Sequence, residues 1–102
     1  MKVRLLEPAR QELDEAISYY NAELAGLGEA FLLEVLSAIE RIRHHPKAWH
    51  PLSENTRRCQ LKRFPYGVLY EAGEAEVLII AVTNLHRRPG YWRNRRTTQT
   101  GK

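Results

Sequence analysis

The chain has almost nothing that would staple it covalently or anchor it in lipid. Its single cysteine is Cys59, which excludes a disulfide framework and a cysteine-based zinc site. No apolar run approaches the ~20 residues of a membrane span. Met1-Lys2-Val3-Arg4 leads towards Pro8 rather than into the apolar stretch of a secretory signal. A cytoplasmic location with no membrane partner is the expectation. Acid is also scarce beyond residue 40: residues 41–102 carry thirteen Lys and Arg against four Glu, whereas residues 1–40 carry three bases against eight acids. The two parts hold +9 and −5 formal charges, which sum to the net +4. A cationic second part of that size points to a polyanion or an acidic protein as partner, although such a charge also keeps a small protein soluble.

Apolar residues make up 43% of the 102 positions, enough for the core of one domain and too many for a disordered chain. Lys2 to Leu6 alternates loosely, as a short strand does. Glu7-Pro8 then opens a helix, since proline is tolerated in a first turn. Ala9, Leu13, Ala16, Ile17, Tyr20 and Leu24 recur at helical spacing, with Glu12, Asp14 and Glu15 reading as the solvated face. Ala25-Gly26-Leu27-Gly28 permits a tight turn into a second helix. That helix bears Phe31, Leu32, Val35, Leu36, Ile39 and Ile42 on one face and stops near His45, before Pro46. Residues 47–56 read as a loop pinned by Trp49 and Leu52. Arg58 to Arg63 alternates, with Cys59 and Leu61 inward and Arg58, Gln60 and Lys62 on the other side. Phe64-Pro65 interrupts; Tyr66 to Glu71 forms the next strand, Ala72-Gly73-Glu74 a turn, and Ala75 to Val82 a last strand whose continuous apolar run marks burial on both faces or a central place. The order is β-α-α-β-β-β. It predicts an α+β fold: an antiparallel sheet with a helix hairpin packed on one face. One domain is expected over residues 1–92, with a basic, flexible tail over 93–102.

Chemistry-bearing residues collect just after that last strand, in His86-Arg87-Arg88-Pro89-Gly90-Tyr91-Trp92. Guanidiniums and exposed aromatics together are a binding composition. Arg63, His86, Arg87, Arg88, Tyr91 and Trp92 are therefore the expected target-binding set, with Trp92 alternatively folding back to cap the core. His44, His45 and His50 suggest metal only superficially: adjacent histidines on a helix diverge by about 100°, and no carboxylate pattern completes a site. No metal and no cofactor is expected. Cys59 reads as a buried thiol, and Tyr66 and Tyr70 as packing aromatics.

Two segments, in this order and behind a helix hairpin, carry a family likeness. Leu61-Lys62-Arg63-Phe64-Pro65-Tyr66-Gly67-Val68-Leu69-Tyr70 and the run from Ala81-Val82 into His86–Trp92 resemble the RelE/ParE superfamily of toxins from bacterial type II toxin–antitoxin systems. The resemblance implies growth inhibition and plasmid stabilization. It also implies a cognate antitoxin that wraps the toxin into a hetero-oligomer, and one of two targets. RelE-like members enter the ribosome and cut mRNA; ParE-like members poison DNA gyrase without being enzymes.

Cleavage through a 2′-hydroxyl needs a base, an acid and cations on the phosphate oxygens. Arg58, Lys62, His86, Arg87 and Tyr91 are the candidate catalytic set. The resemblance to the ribosome-dependent nucleases further implies two bases at alternating positions of the second strand and an arginine opening the third. Arg58 fits the first of these, but Gln60 and Gly67 occupy the others. Each lost transition-state donor costs ~10²–10³ in rate. The expectation is therefore a ParE-like toxin acting on gyrase. A RelE-like mRNA endonuclease is the alternative, and a non-toxic nucleic-acid-binding module the third reading.

Overall fold

The longest apolar run becomes an interior strand of the sheet, buried on both faces. The computed structural model describes residues 1–88 and 90–95. It contains strand β1 (Lys2–Leu5), helices α1 (Glu7–Glu23) and α2 (Leu27–His44), and strands β2 (His50–Pro51), β3 (Arg57–Gln60), β4 (Tyr66–Ala72) and β5 (Glu76–Asn84). The strands lie in the order β1-β5-β4-β3-β2. β3, β4 and β5 form the expected antiparallel meander, and β5 is buried along nearly its whole length.

Two features correct the expectation of a purely antiparallel four-strand sheet. β1 pairs with β5 in parallel, from Lys2 opposite Glu76 to Leu5 opposite Ile79, so the sheet is mixed. Alternation reports which face a side chain takes, not which way the neighbouring strand runs. In addition, His50 and Pro51 in the expected loop pair with Arg58 and Arg57; two residues are too few to show periodicity.

The helix hairpin covers one face. α1 contributes Ala9 and Ala16, and α2 contributes Phe31, Val35, Ala38, Ile39 and Ile42, packed on Cys59, Val68, Tyr70, Val77, Ile79 and Val82 of the sheet. Tyr20, Phe31, Phe64 and Tyr66 form a ring cluster at one end. Gly28 sets the helix spacing: a Cβ there would lie 2.4 Å from the Ile17 carbonyl oxygen. The Tyr70 hydroxyl donates to the Pro46 carbonyl and Arg57 Nη1 to that of Trp49 at 2.8 Å, which fastens the segment after α2. Leu24 and Leu36 depart from the predicted stripes, at 64% and 48% exposed, beside Leu33 at 66%. Leu24 caps α1 with extended backbone and so leaves the helical spacing, and Leu36 lies about 100° round the helix from the buried Val35.

A second, smaller core lies on the other face, made of Leu6, Leu69, Leu78, Ile80, Ala81 and Trp92. A β-bulge builds it. Leu69 pairs with Ala81 and Tyr70 with Ile79, which leaves Ile80 as the extra residue. Ile80 and Ala81 therefore both face this outer side. Of the tail expected from residue 93, residues 96–102 lie outside the described residues, whereas Arg93 to Arg95 continue the turn that carries Trp92 onto this core.

Candidate binding groove

β1 ends at Leu5, so among the described residues β5 beyond Ile79 has no strand neighbour on that side. Side chains bond its backbone instead. Glu12 Oε1 accepts from the Val82 N–H at 3.0 Å, and Arg95 Nη1 donates to the Ile80 carbonyl at 3.1 Å. Glu12 and Arg95 also pair with each other, at 2.9 and 2.7 Å, with side chains only 13% and 16% exposed. The Tyr91 hydroxyl donates to Glu12 Oε2 at 2.6 Å. This latch corrects the reading of Glu12 as part of a solvated face. Glu12 lies three residues after Ala9 and four before Ala16, on the edge of the buried stripe, and that spacing is the signal that marks it.

The latch draws residues 90–95 across the outer face and leaves a groove of about 160 Å³ beside them. Arg58, Arg87, Arg88 and Arg93 surround it, Leu52, Leu69, Leu85 and Trp92 are its apolar lining, and among the described residues no carboxylate lines it. A larger hollow of about 780 Å³ at the other end of the sheet is lined by Arg4, Lys47 and Arg57 against Glu54, Glu71 and Glu76. Its balanced charge gives it no preference for an anion.

The predicted site residues divide between groove and elsewhere. Arg58 lies on the groove side of β3, half-buried, and its Nε is buried without a hydrogen-bond partner among the described residues. Arg87 and Arg88 are exposed on the rim. Tyr91 is at the groove, but its ring lies between the guanidiniums of Arg87 at 4.3 Å and Arg95 at 4.7 Å. Burial, and then the hydrogen bond to the Glu12 carboxylate, push its phenol up to about 12. Trp92 is 8% exposed, so it is a core residue lining the groove and not an outward anchor. His86 is exposed and its imidazole does not line the groove.

Lys62 and Arg63 stand apart. Both backbone N–H groups donate to Glu34 Oε1, at 2.7 and 2.8 Å, and Arg63 Nε pairs with Glu34 Oε2 at 2.7 Å. Burial would raise the Glu34 carboxyl, but these donors outweigh it and hold the group below its ordinary value. Arg63 is thus satisfied by the protein's own carboxylate, where it ties α2 to the segment between β3 and β4. Cys59 is fully buried, and burial pushes its thiol up, as expected of a packing residue.

A small α+β domain with a cationic groove and a helix hairpin on the opposite face defines the class. Its family follows from the sequence profile described as "ParE toxin of type II toxin-antitoxin system, parDE", which matches residues 3–89. The chain belongs to the ParE toxin family of the RelE/ParE superfamily. Among solved structures it resembles a chain of the "Chromosomal ParDE TA system from P. aeruginosa", with a TM-score of 0.72 at 15% identity, over 82% of this chain and 95% of that one. That likeness is one of fold. No curated protein sequence matches the chain. Among the described residues, no helix is long and apolar enough to cross a membrane.

Proposed function

We propose that this toxin inhibits growth by binding DNA gyrase in the cytoplasm, without cutting nucleic acid, and that a cognate antitoxin neutralises it. The observation that carries the non-cleaving reading is the proton chemistry of the groove. A general acid or base works best with a pKa near the operating pH. Tyr91 holds its proton up to about 12 and gives its hydroxyl to Glu12. His86 is exposed and is not among the residues lining the groove, and Gln60 carries no charge. Among the described residues the groove offers cations for grip and no lining group with a pKa near neutrality.

The antitoxin reading draws on the family and on the exposed apolar side chains Tyr19, Leu24, Leu33 and Leu36 of the hairpin, which a partner segment would bury. Purified protein is expected to block gyrase supercoiling or to trap cleaved DNA. Unchanged supercoiling at high excess would refute the gyrase reading. Arg58 and Arg87 beside one groove favour the mRNA endonuclease as second reading. Primer extension on transcripts from expressing cells would then show new codon-phased ends.

A further inference from the structure

We infer that Arg58 is the anion-binding centre of the outer groove, and that its ligand is a carboxylate of an acidic peptide segment whose adjacent apolar residue seats on Leu52, Leu69 and Trp92. The inference rests on the reading of this protein as one that acts by gripping another protein.

A buried guanidinium nitrogen without a partner is costly, because it has left water and received no acceptor in return. Arg58 Nε is such an atom. Its placement has a structural cause. Arg58 pairs with Leu69 across the meander, and its stem runs over Gly67, where a Cβ would lie 2.9 Å from Arg58 Cγ and 3.0 Å from Cδ. The missing side chain at Gly67 lets the arginine lie flat along the groove. With Arg87, Arg88 and Arg93 around it and no carboxylate in the lining among the described residues, the groove lacks the one thing Arg58 needs, an oxyanion. A carboxylate meets a guanidinium fork through paired, charge-assisted hydrogen bonds.

A nucleic acid would bring oxyanions too, but it grips through stacking on open aromatic faces. Here those faces are taken. Tyr91 lies between two guanidiniums, and Trp92 is buried with Arg93 5.4 Å from its ring. What remains is a small apolar lining rimmed by positive charge, which suits an aliphatic side chain flanked by acids.

The test is fluorescence anisotropy with three labelled probes: a peptide of alternating glutamates and leucines, a poly-glutamate peptide of equal charge, and a single-stranded DNA oligonucleotide. The glutamate–leucine peptide is expected to bind tightest. R58A should weaken it by about tenfold or more. G67A should do the same, because the new methyl lifts Arg58 out of the groove. R4A, a charge loss at the other end of the sheet, should leave binding unchanged. Melting curves confirm that each variant is folded. If R58A does not fold, R58K keeps the charge but removes the fork and should weaken binding likewise. Equal capture of poly-glutamate, tighter capture of the oligonucleotide, or indifference to both R58K and G67A would each overturn the inference. Supercoiling is assayed on the same preparation. Peptide capture without gyrase inhibition would retain the groove and remove the gyrase target, and inhibition without capture would do the reverse.

Discussion

Glu12 receives hydrogen bonds from Val82, Tyr91 and Arg95, and removing it would strand a largely buried guanidinium. Breaking a buried pair by deleting one partner costs ~3–5 kcal/mol. E12A is accordingly expected to lose about 3 kcal/mol in urea unfolding, with a red shift of Trp92 emission as residues 90–95 come away. The Arg4–Glu76 pair, with side chains 57% and 40% exposed, supplies the contrast: R4A should change stability by less than ~1 kcal/mol. Tyrosines give a pH signature. Tyr70 and Tyr91 are both pushed from 10.0 to about 12, burial being the first cause in each. A proton held more tightly in the folded state stabilises fully below the unfolded pKa, and that contribution fades as pH rises through the folded one. Stability should therefore fall across the interval from 10.0 to about 12 set by those two phenols. Y91F should flatten part of the fall; an undiminished fall in a Y70F/Y91F double variant would show that other groups cause it.

At the scale of elements, the hairpin is set by close backbone approach rather than by apolar stripes alone. Gly28 donates its N–H to Asn21 Oδ1 at 2.8 Å, and a methyl at this position would collide with the backbone of α1. Backbone cannot move aside as a flexible side chain can. G28A is expected to cost ~1–3 kcal/mol, the range for overpacked sites, seen as a lower urea midpoint at unchanged slope. Both helices and the three meander strands were legible from spacing, because a period of 3.6 or 2 repeats often enough to be counted. β2 was not, being two residues long, nor was the bulge at Ile80, since every residue around it is apolar on either face.

Over the whole molecule, the uneven charge resolves into distinct places. Glu12 and Glu34 of the helices neutralise Arg95 and Arg63, while Arg58, Arg87 and Arg88 keep the groove positive. An R87A/R88A variant should lose gyrase inhibition while its unfolding free energy drops by no more than ~1 kcal/mol, the size of one exposed cation–π contact. Raising the salt concentration should weaken target association by the wild type, since rim charges act through screened attraction; a salt-independent affinity would argue against the cationic groove as the contact surface.

Sequence by itself determined the α+β class, the family, the last strand's burial on both faces and the arginine-rich segment that ends at Trp92. These follow from local periodicity and from neighbours along the chain. Which arginines are neutralised within the protein was decided only by the tertiary structure, because that depends on which carboxylates come near through space. Glu34 reaches Arg63 from 29 positions away and Glu12 reaches Arg95 from 83, distances at which a chain carries no local mark of pairing. Trp92 turned inward for the same reason: the bulge on β5 opened an apolar seat for it that no neighbouring residue announced.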